Sequence, residues 1–62
     1  MRYSVWYNAA LYYGEEEGKW NHYDTDNFTD AVETYNYAMQ YDIEVEIHDN
    51  EYDVVFKNGE WS

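Results

Sequence analysis

The chain has no cysteine, and only three of its 62 residues are lysine or arginine. The absence of cysteine excludes disulfide bonds and cysteine-based structural metal sites, which support many proteins of this size. No apolar run approaches the roughly 20 residues of a membrane-spanning helix. Nothing at the start resembles a signal peptide, because Met1 to Tyr3 leads directly into an alternating segment containing Ser4 and Asn8. We therefore expect a soluble, cytoplasmic protein with no membrane partner, held together by packing or by a partner subunit.

The scarcity of basic residues leaves fourteen aspartates and glutamates almost unbalanced, so the formal net charge is −11. Repulsion among like charges at this density destabilises a compact state, and solubility alone does not require such an excess. Disorder is disfavoured because 45% of the residues are hydrophobic and 23% are aromatic. The composition predicts a folded protein whose negative charge serves the binding of a basic partner.

The length allows one domain, covering residues 1–62, with a thin core. A chain this short buries only about 60% of the surface that it exposes when unfolded. Nine tyrosines and three tryptophans compensate for the short length, since each large aromatic side chain can bury on the order of 150–250 Å².

Hydrophobic periodicity predicts an α+β fold of order ββαββ, a small antiparallel sheet with one helix packed on one face and the other face open. In the first strand, alternation places Tyr3, Val5 and Tyr7 on one face and Trp6 on the other. The predicted elements are strands over residues 2–8 and 19–23, a helix from 28 to about 40 or 41, and strands over 43–48 and 52–56.

The helix is predicted from apolar residues at three- and four-residue intervals. These residues are Phe28, Ala31, Val32, Tyr35, Ala38 and Met39. Asn27 suits the N-cap, and Asp30 favours the positive end of the helix dipole in the first turn. Near the end of the chain, Asn58-Gly59 predicts a tight turn, after which residues 60–62 either pair briefly or fold back.

The carboxylates fall into a loop group, a group at the helix start and a group on the last hairpin. The groups are Glu15, Glu16 and Glu17; Asp24, Asp26, Asp30 and Glu33; and Glu44, Glu46, Asp49, Glu51 and Asp53. Alternate residues on a strand face lie about 6.6–6.8 Å apart, so Glu44 and Glu46 would imitate neighbouring phosphates of a nucleic-acid strand. Outward carboxylates on such a strand usually form only a solvated surface. The charge imbalance favours the phosphate-like track here, because ordinary surfaces mix both signs.

Tyr37 and Tyr41 lie four residues apart on the side of the helix away from the core stripe. Exposed tyrosines beside carboxylates are typical of recognition surfaces, because they provide contact area at low entropic cost. They could equally pack against a second copy of the chain. Together with Trp6 on the outer face of the sheet, they leave a homodimer open as an alternative.

Metal binding and catalysis have weak support in the sequence. Asp49, Glu51, Asp53 and Glu60 fit positions one, three, five and twelve of a calcium loop. Position six, however, is Val54, where the loop requires glycine. For catalysis, no motif joins His22 or His48 to a nucleophile, and so thin a domain is not expected to enclose a desolvated acid. We expect no cofactor and no enzymatic activity, and a calcium-responsive module or minor enzyme is the weakest alternative.

Three features together resemble small bacteriophage-encoded proteins. They are the short acidic chain, the strand-rich start Arg2-Tyr3-Ser4-Val5-Trp6-Tyr7, and the helix start Asn27-Phe28-Thr29-Asp30-Ala31-Val32 followed by a two-strand finish. Such proteins include DNA-mimic inhibitors of restriction, CRISPR and uracil-DNA glycosylase systems. The resemblance spans most of the chain in pattern, without a diagnostic motif, and implies a product that blocks a host nucleic-acid-binding or defence protein in the host cytoplasm.

The leading hypothesis is therefore an inhibitor whose acidic surface occupies the basic groove of a nucleic-acid-binding protein, without binding nucleic acid itself. The predicted contact residues are Glu15, Glu16, Glu17, Asp30, Glu33, Tyr37, Tyr41, Glu44, Glu46, Asp49 and Glu51. The alternative is a homodimeric interaction module that binds a host factor through an exposed aromatic face, with its charge serving solubility.

Overall fold

The computed structural model describes residues 1–62 and contains one helix and one five-stranded sheet. In chain order, the elements are β1 (Tyr3–Tyr7), β2 (Asn21–Thr25), α1 (Phe28–Gln40), β3 (Val45–Asp49), β4 (Val54–Lys57) and β5 (Glu60–Trp61). The predicted α+β class and its ββαββ order are confirmed, and a short fifth strand completes the sheet.

The strands lie in the order β2-β1-β3-β4-β5, and every neighbouring pair is antiparallel. β2 and β3 flank β1, so the helix that joins them crosses β1 and packs on all three strands. In register, Tyr3 lies beside Asp49 and Tyr7 lies beside Val45. We use these pairs to name the two ends of the sheet, the Tyr3 end and the Tyr7 end.

The core lies between the helix and the inner face of the sheet. Its buried members are Tyr3, Val5, Tyr7, Ala31, Tyr35, Ala38, Val45 and Ile47. The alternation predicted for β1 is confirmed, because its odd-numbered residues are buried and Ser4 and Trp6 lie on the outer face. The predicted inward direction of Val45 and Ile47 is also confirmed. The outer face has no covering element, as expected for a two-layer fold.

The helix begins as predicted, with the Asn27 side chain accepting a hydrogen bond from the Asp30 amide at 3.3 Å. The predicted apolar stripe is only partly correct. Phe28 and Met39 are about half exposed, whereas Thr34 is buried. The Thr34 hydroxyl donates to the carbonyl oxygen of Asp30 at 3.1 Å, so its polar group is satisfied within the helix and its methyl group can face the sheet.

The helix ends in a Schellman motif. The Ile43 amide donates to the Ala38 carbonyl and the Asp42 amide donates to the Met39 carbonyl, each at 3.1 Å. Asp42 adopts the left-handed conformation that glycine usually supplies at this position, with a φ of 56°. Its carboxylate also lies next to the negative end of the helix dipole. Both features make Asp42 a locally unfavourable residue.

Replacing Asp42 with glycine is therefore expected to stabilise the protein by about 1 kcal/mol, because glycine adopts positive φ without steric cost. Urea unfolding followed by circular dichroism measures the difference. Asp42→Asn is the matched control, because asparagine tolerates the same conformation and removes only the charge. An Asp42→Gly protein no more stable than the wild type would contradict the account of this helix end.

The strand boundaries differ from the predicted ones by one or two residues. β4 begins at Val54 rather than Tyr52, because the Asp49 carboxylate accepts the amides of Glu51 and Tyr52 in the preceding turn, and Tyr52 is exposed. β2 begins at Asn21 rather than Lys19, because the Asn21 side-chain amide donates to the carbonyls of Ala9 and Glu16 and so closes the preceding loop. β3 begins at Val45, because the residues before it complete the helix cap. The predicted tight turn at Asn58-Gly59 is confirmed, and both residues have the positive φ that a type I′ turn requires.

Candidate partner-binding surface

Arg2 is the basic side chain at the Tyr3 end of the sheet, and two acids hold it within the molecule. Its Nη2 atom lies 3.2 Å from Asp49 Oδ2, and its Nε atom lies 3.0 Å from Glu51 Oε2. The guanidinium also lies 5.0 Å from the centre of the Tyr3 ring and 5.2 Å from that of Tyr52. The hydrogen bond with Asp49 raises the pKa of Arg2. This cation is therefore paired with acids of the protein itself, although its side chain remains 38% exposed.

The two lysines are also paired within the chain. Lys19 Nζ lies 2.8 Å from Glu16 Oε2, and Lys57 Nζ lies 4.0 Å from Glu46 Oε2. Exposed ion pairs of this kind contribute only about 0–1 kcal/mol to stability. Their main consequence is electrostatic, because no lysine or arginine remains to offset the other carboxylates.

Four carboxylates thus pair with lysine or arginine, and the other ten of the fourteen do not. The ten are Glu15, Glu17, Asp24, Asp26, Asp30, Glu33, Asp42, Glu44, Asp53 and Glu60. Several of them accept hydrogen bonds from neutral groups of the protein, and the rest project into solvent. This distinction decides which acids are available to a partner.

Glu15 was predicted to be a contact, but its carboxylate is turned into the protein. Oε2 accepts a short hydrogen bond from the buried Tyr7 hydroxyl, and Oε1 accepts from the amides of Leu11 and Tyr12 at 3.0 and 2.9 Å. Burial and this carboxylate together raise the pKa of Tyr7 well above its usual range. Glu15 therefore holds the loop between β1 and β2 in place, and it is not free to bind a partner.

Asp49, another predicted contact, is only 6% exposed. Its carboxylate receives Arg2 Nη2 at 3.2 Å and the amides of Glu51 and Tyr52 at 3.0 and 3.3 Å. The hydrogen bond from Arg2, helped by these amides, lowers the pKa of Asp49. Glu51 is exposed but shares the same arginine. The two acids therefore close the turn before β4 rather than present free charges.

The phosphate-like track predicted on β3 is not formed by two free charges. Glu44 is exposed but precedes the strand, where its carbonyl accepts the Asn8 amide at 3.0 Å. Glu46 is on the outer face, where Oε1 lies 2.8 Å from His48 Nε2 and Oε2 lies near Lys57. Of the pair, only Glu44 remains open to a partner.

The two predicted contacts near the helix start behave differently. Asp30 accepts a hydrogen bond of 2.6 Å from the Tyr23 hydroxyl, which raises the pKa of Tyr23. Asp30 therefore joins the helix to β2. Glu33 is exposed and makes no ion pair.

The predicted tyrosine pair forms one wall of a groove at the Tyr7 end of the sheet. The rings of Tyr37 and Tyr41 meet edge to face with centroids 5.3 Å apart, and both are substantially exposed. The groove has a volume of about 350 Å³, and we call it the tyrosine groove. It is lined by Ala9, Ala10, Leu11, Glu17, Tyr37, Tyr41 and Ile43.

A smaller groove of about 230 Å³ adjoins it and shares Ile43. Asp42 and Glu44 lie in its lining. Together with Glu17 from the loop between β1 and β2, these residues place three exposed carboxylates without a lysine or arginine partner around the Tyr7 end of the sheet. We call this set the acidic end. Asp42 was not among the predicted contacts, although its position just after the helix could have indicated it.

The outer face of the sheet carries a second polar and aromatic cluster around Trp6, whose outward position was predicted from the alternation in β1. The Trp6 ring lies 4.5 Å from His22 and 6.2 Å from His48, measured between centroids. His22 Nδ1 lies 3.0 Å from Asp24 Oδ1. Partial burial opposes ionisation of Asp24, but hydrogen bonds with Ser4 and His22 outweigh it and lower its pKa. Trp6 is therefore half-buried among polar groups and does not form an open apolar face.

A third groove, of about 200 Å³, lies between the helix and the last hairpin. Its lining is Phe28, Val32, Tyr35, Asn36, Ile47, Phe56 and Trp61. It exists because the helix covers β2, β1 and β3 but leaves part of the inner face of β4 and β5 open. The predicted stripe residue Phe28 is half exposed here for the same reason.

Comparison of the chain with protein-family models, with curated proteins and with solved structures gives no match. No three histidine, aspartate or glutamate side chains lie close enough to share a metal ion. The single helix is neither long enough nor apolar enough to cross a membrane.

Proposed function

We propose that this protein is a phage-type inhibitor that binds the basic, nucleic-acid-binding groove of a host or defence protein through a DNA-mimicking acidic surface. The observation that carries the proposal is the internal pairing of every lysine and arginine, which leaves ten carboxylates without a lysine or arginine partner. Such a surface complements a positively charged groove. The protein acts by steric and electrostatic competition with nucleic acid, and no catalytic step is involved.

The acidic end is the main contact in this proposal. Its carboxylates come from the β1–β2 loop, the end of the helix and the start of β3, and hydrogen bonds within the protein fix each of these segments. The Glu15 carboxylate holds the loop, the bond from Ile43 to Ala38 closes the helix, and the Asn8 amide holds Glu44. Charges fixed before binding lose little conformational entropy when a partner arrives. Tyr37 and Tyr41 add apolar contact beside them.

The homodimer is the weaker proposal. Two copies would each carry a net charge of −11, and their repulsion opposes association. On the outer face, Trp6 is flanked by histidines that are paired with carboxylates, so a symmetric contact there would bring Asp24 and Glu46 of both copies together. Sedimentation equilibrium at low and high salt tests this alternative directly, and a dimer that persists at low salt would support it.

The proposal is tested by capture from a bacterial lysate at low salt, followed by elution with salt. A captured nucleic-acid-binding protein is then bound to labelled duplex DNA and titrated with the purified chain. We expect displacement of the DNA, and affinity for the captured protein should fall steeply between low and high salt. Salt should at the same time raise the thermal midpoint of the free chain, because it screens internal repulsion, so lost binding is not caused by unfolding.

A matched pair of double variants locates the contact. Glu17→Gln with Glu44→Gln removes two charges from the acidic end and should weaken binding by about tenfold, since each exposed charge pair contributes up to about 1 kcal/mol. Asp26→Asn with Asp53→Asn removes the same charge from exposed residues at the Tyr3 end that line no groove, and it should have a much smaller effect. Binding that is insensitive to salt, or that leaves the DNA in place, would contradict the proposal.

A further inference from the structure

The tyrosine groove combines an apolar floor with one charged group. Six of its seven lining residues are hydrophobic, and Leu11 and Ile43 also pack against the core. The charged lining residue is Glu17, which is exposed and forms no ion pair. A volume of about 350 Å³ is sufficient for a small organic group, since ligand sites in proteins begin near 300 Å³.

The electrostatics of the groove favour a cation. The helix ends here, and its last turn contains no basic residue, so the negative end of the helix dipole is not compensated. Asp42 and Glu44 lie in the adjoining groove and add negative charge. The nearest lysine in sequence, Lys19, is already bound to Glu16 at 2.8 Å.

The aromatic wall narrows the choice of cation. Tyr37 and Tyr41 are exposed and meet edge to face, so a ring face remains available to a ligand. A guanidinium group stacks on aromatic rings and binds carboxylates through two parallel hydrogen bonds. Its three-carbon stem gains from apolar surface, whereas the charged head requires an acid at the rim. Arginine has all of these properties.

We propose that the tyrosine groove receives an arginine side chain from the basic partner. The stem lies on Leu11 and Ile43, the guanidinium stacks on a tyrosine ring, and the Glu17 carboxylate binds the charged head. This inference rests on the proposed function, because it assumes a basic protein partner. It goes further by assigning that partner a protruding arginine, whereas a phosphate-like track alone would accept lysine and arginine equally.

The test uses N-acetyl-arginine amide as the probe, titrated at low salt into the isotopically labelled chain and followed by two-dimensional NMR. We expect saturable shifts at the residues lining the tyrosine groove and none at Asp53, at the opposite end of the sheet. N-acetyl-citrulline amide has nearly the same shape without the charge, and it should cause much smaller shifts. N-acetyl-lysine amide should bind several-fold more weakly than arginine, because it lacks the planar group.

Two variants test the contact with the Glu17 carboxylate and the contact with a tyrosine ring separately. Glu17→Gln should weaken arginine binding up to about fivefold, the range of an exposed charge pair, and Tyr41→Leu should weaken it about two- to fivefold while keeping an apolar wall. Asp53→Asn makes the same kind of charge change away from the groove and should leave the affinity unchanged. Unchanged positions and linewidths of the signals from the buried residue Val5 verify that each variant is folded.

Shifts spread evenly over all acidic surfaces, or equal shifts with citrulline, would overturn the arginine site. If such a result accompanied salt-dependent displacement of DNA from a captured protein, the proposed function would stand without this site. Conversely, saturable arginine binding in the groove without any displacement of DNA would support the arginine site. It would contradict the proposal that the protein mimics nucleic acid.

Discussion

The Ile47→Ala variant is expected to lose about half of the protein's free energy of unfolding. Ile47 is 1% exposed at the centre of the sheet, where it lies in register with Val5 on one side and Phe56 on the other. Truncating a buried isoleucine to alanine costs about 2–5 kcal/mol, because transfer energy is lost and a cavity remains. A chain of this length is expected to have a total stability of only about 3–9 kcal/mol. The substitution should therefore remove about half of the free energy of unfolding.

Urea unfolding followed by circular dichroism gives the measurement, with Ile47→Val as a graded variant expected to lose about 0.5–1.5 kcal/mol. Val55→Ala is the matched control, because Val55 is half-buried on the uncovered outer face opposite His48. Val55→Ala should lower the free energy of unfolding by less than Ile47→Ala does. If Val55→Ala proved as harmful as Ile47→Ala, the outer face would have to be covered in solution, and the two-layer account of the fold would be wrong.

Local patterns predicted the fold because they report directly on local geometry. Alternation assigned the two faces of β1, and Asn27 and Asn58-Gly59 each marked a helix start or a turn that depends on only a few neighbouring residues. The stripe prediction failed at Phe28 and Met39 because their burial depends on where the helix sits over the sheet. The helix packs on β2, β1 and β3 but not on β4 and β5, so side chains on the β4 side of the helix remain partly open.

The candidate site was less predictable, because the sequence shows the charges but not which side chains they meet. Glu15, Glu16 and Glu17 are neighbours of the same chemistry, yet they have three different environments. The first accepts hydrogen bonds inside the protein, the second pairs with Lys19, and the third lines the tyrosine groove. The three glutamates differ in environment only because of the path that the loop takes against the helix. The same applies to Asp49, which was predicted as an exposed contact after the strand but is buried at the end of β3.

Replacing Glu15 with alanine is expected to destabilise the protein by about 3 kcal/mol. The change removes the acceptor of the Tyr7 hydroxyl and of the Leu11 and Tyr12 amides. Hydrogen bonds to charged groups contribute about 1.5–3 kcal/mol, and a buried donor left without a partner loses its hydration as well. Tyr7 is fully buried, so water cannot readily replace the carboxylate. Part of the loss is offset because one repelling charge disappears.

Glu16→Ala is the control for this loss, since it removes the same charge from the next residue. Its exposed pair with Lys19 should contribute less than about 1 kcal/mol. A double-mutant cycle with Tyr7→Phe isolates the hydroxyl–carboxylate bond and should give a coupling of about 1.5–3 kcal/mol. Equal stabilities of Glu15→Ala and Glu16→Ala would mean that the loop does not depend on this carboxylate. The acidic end would then lose the fixed arrangement on which fast, low-cost binding depends, because Glu17 projects from the same loop.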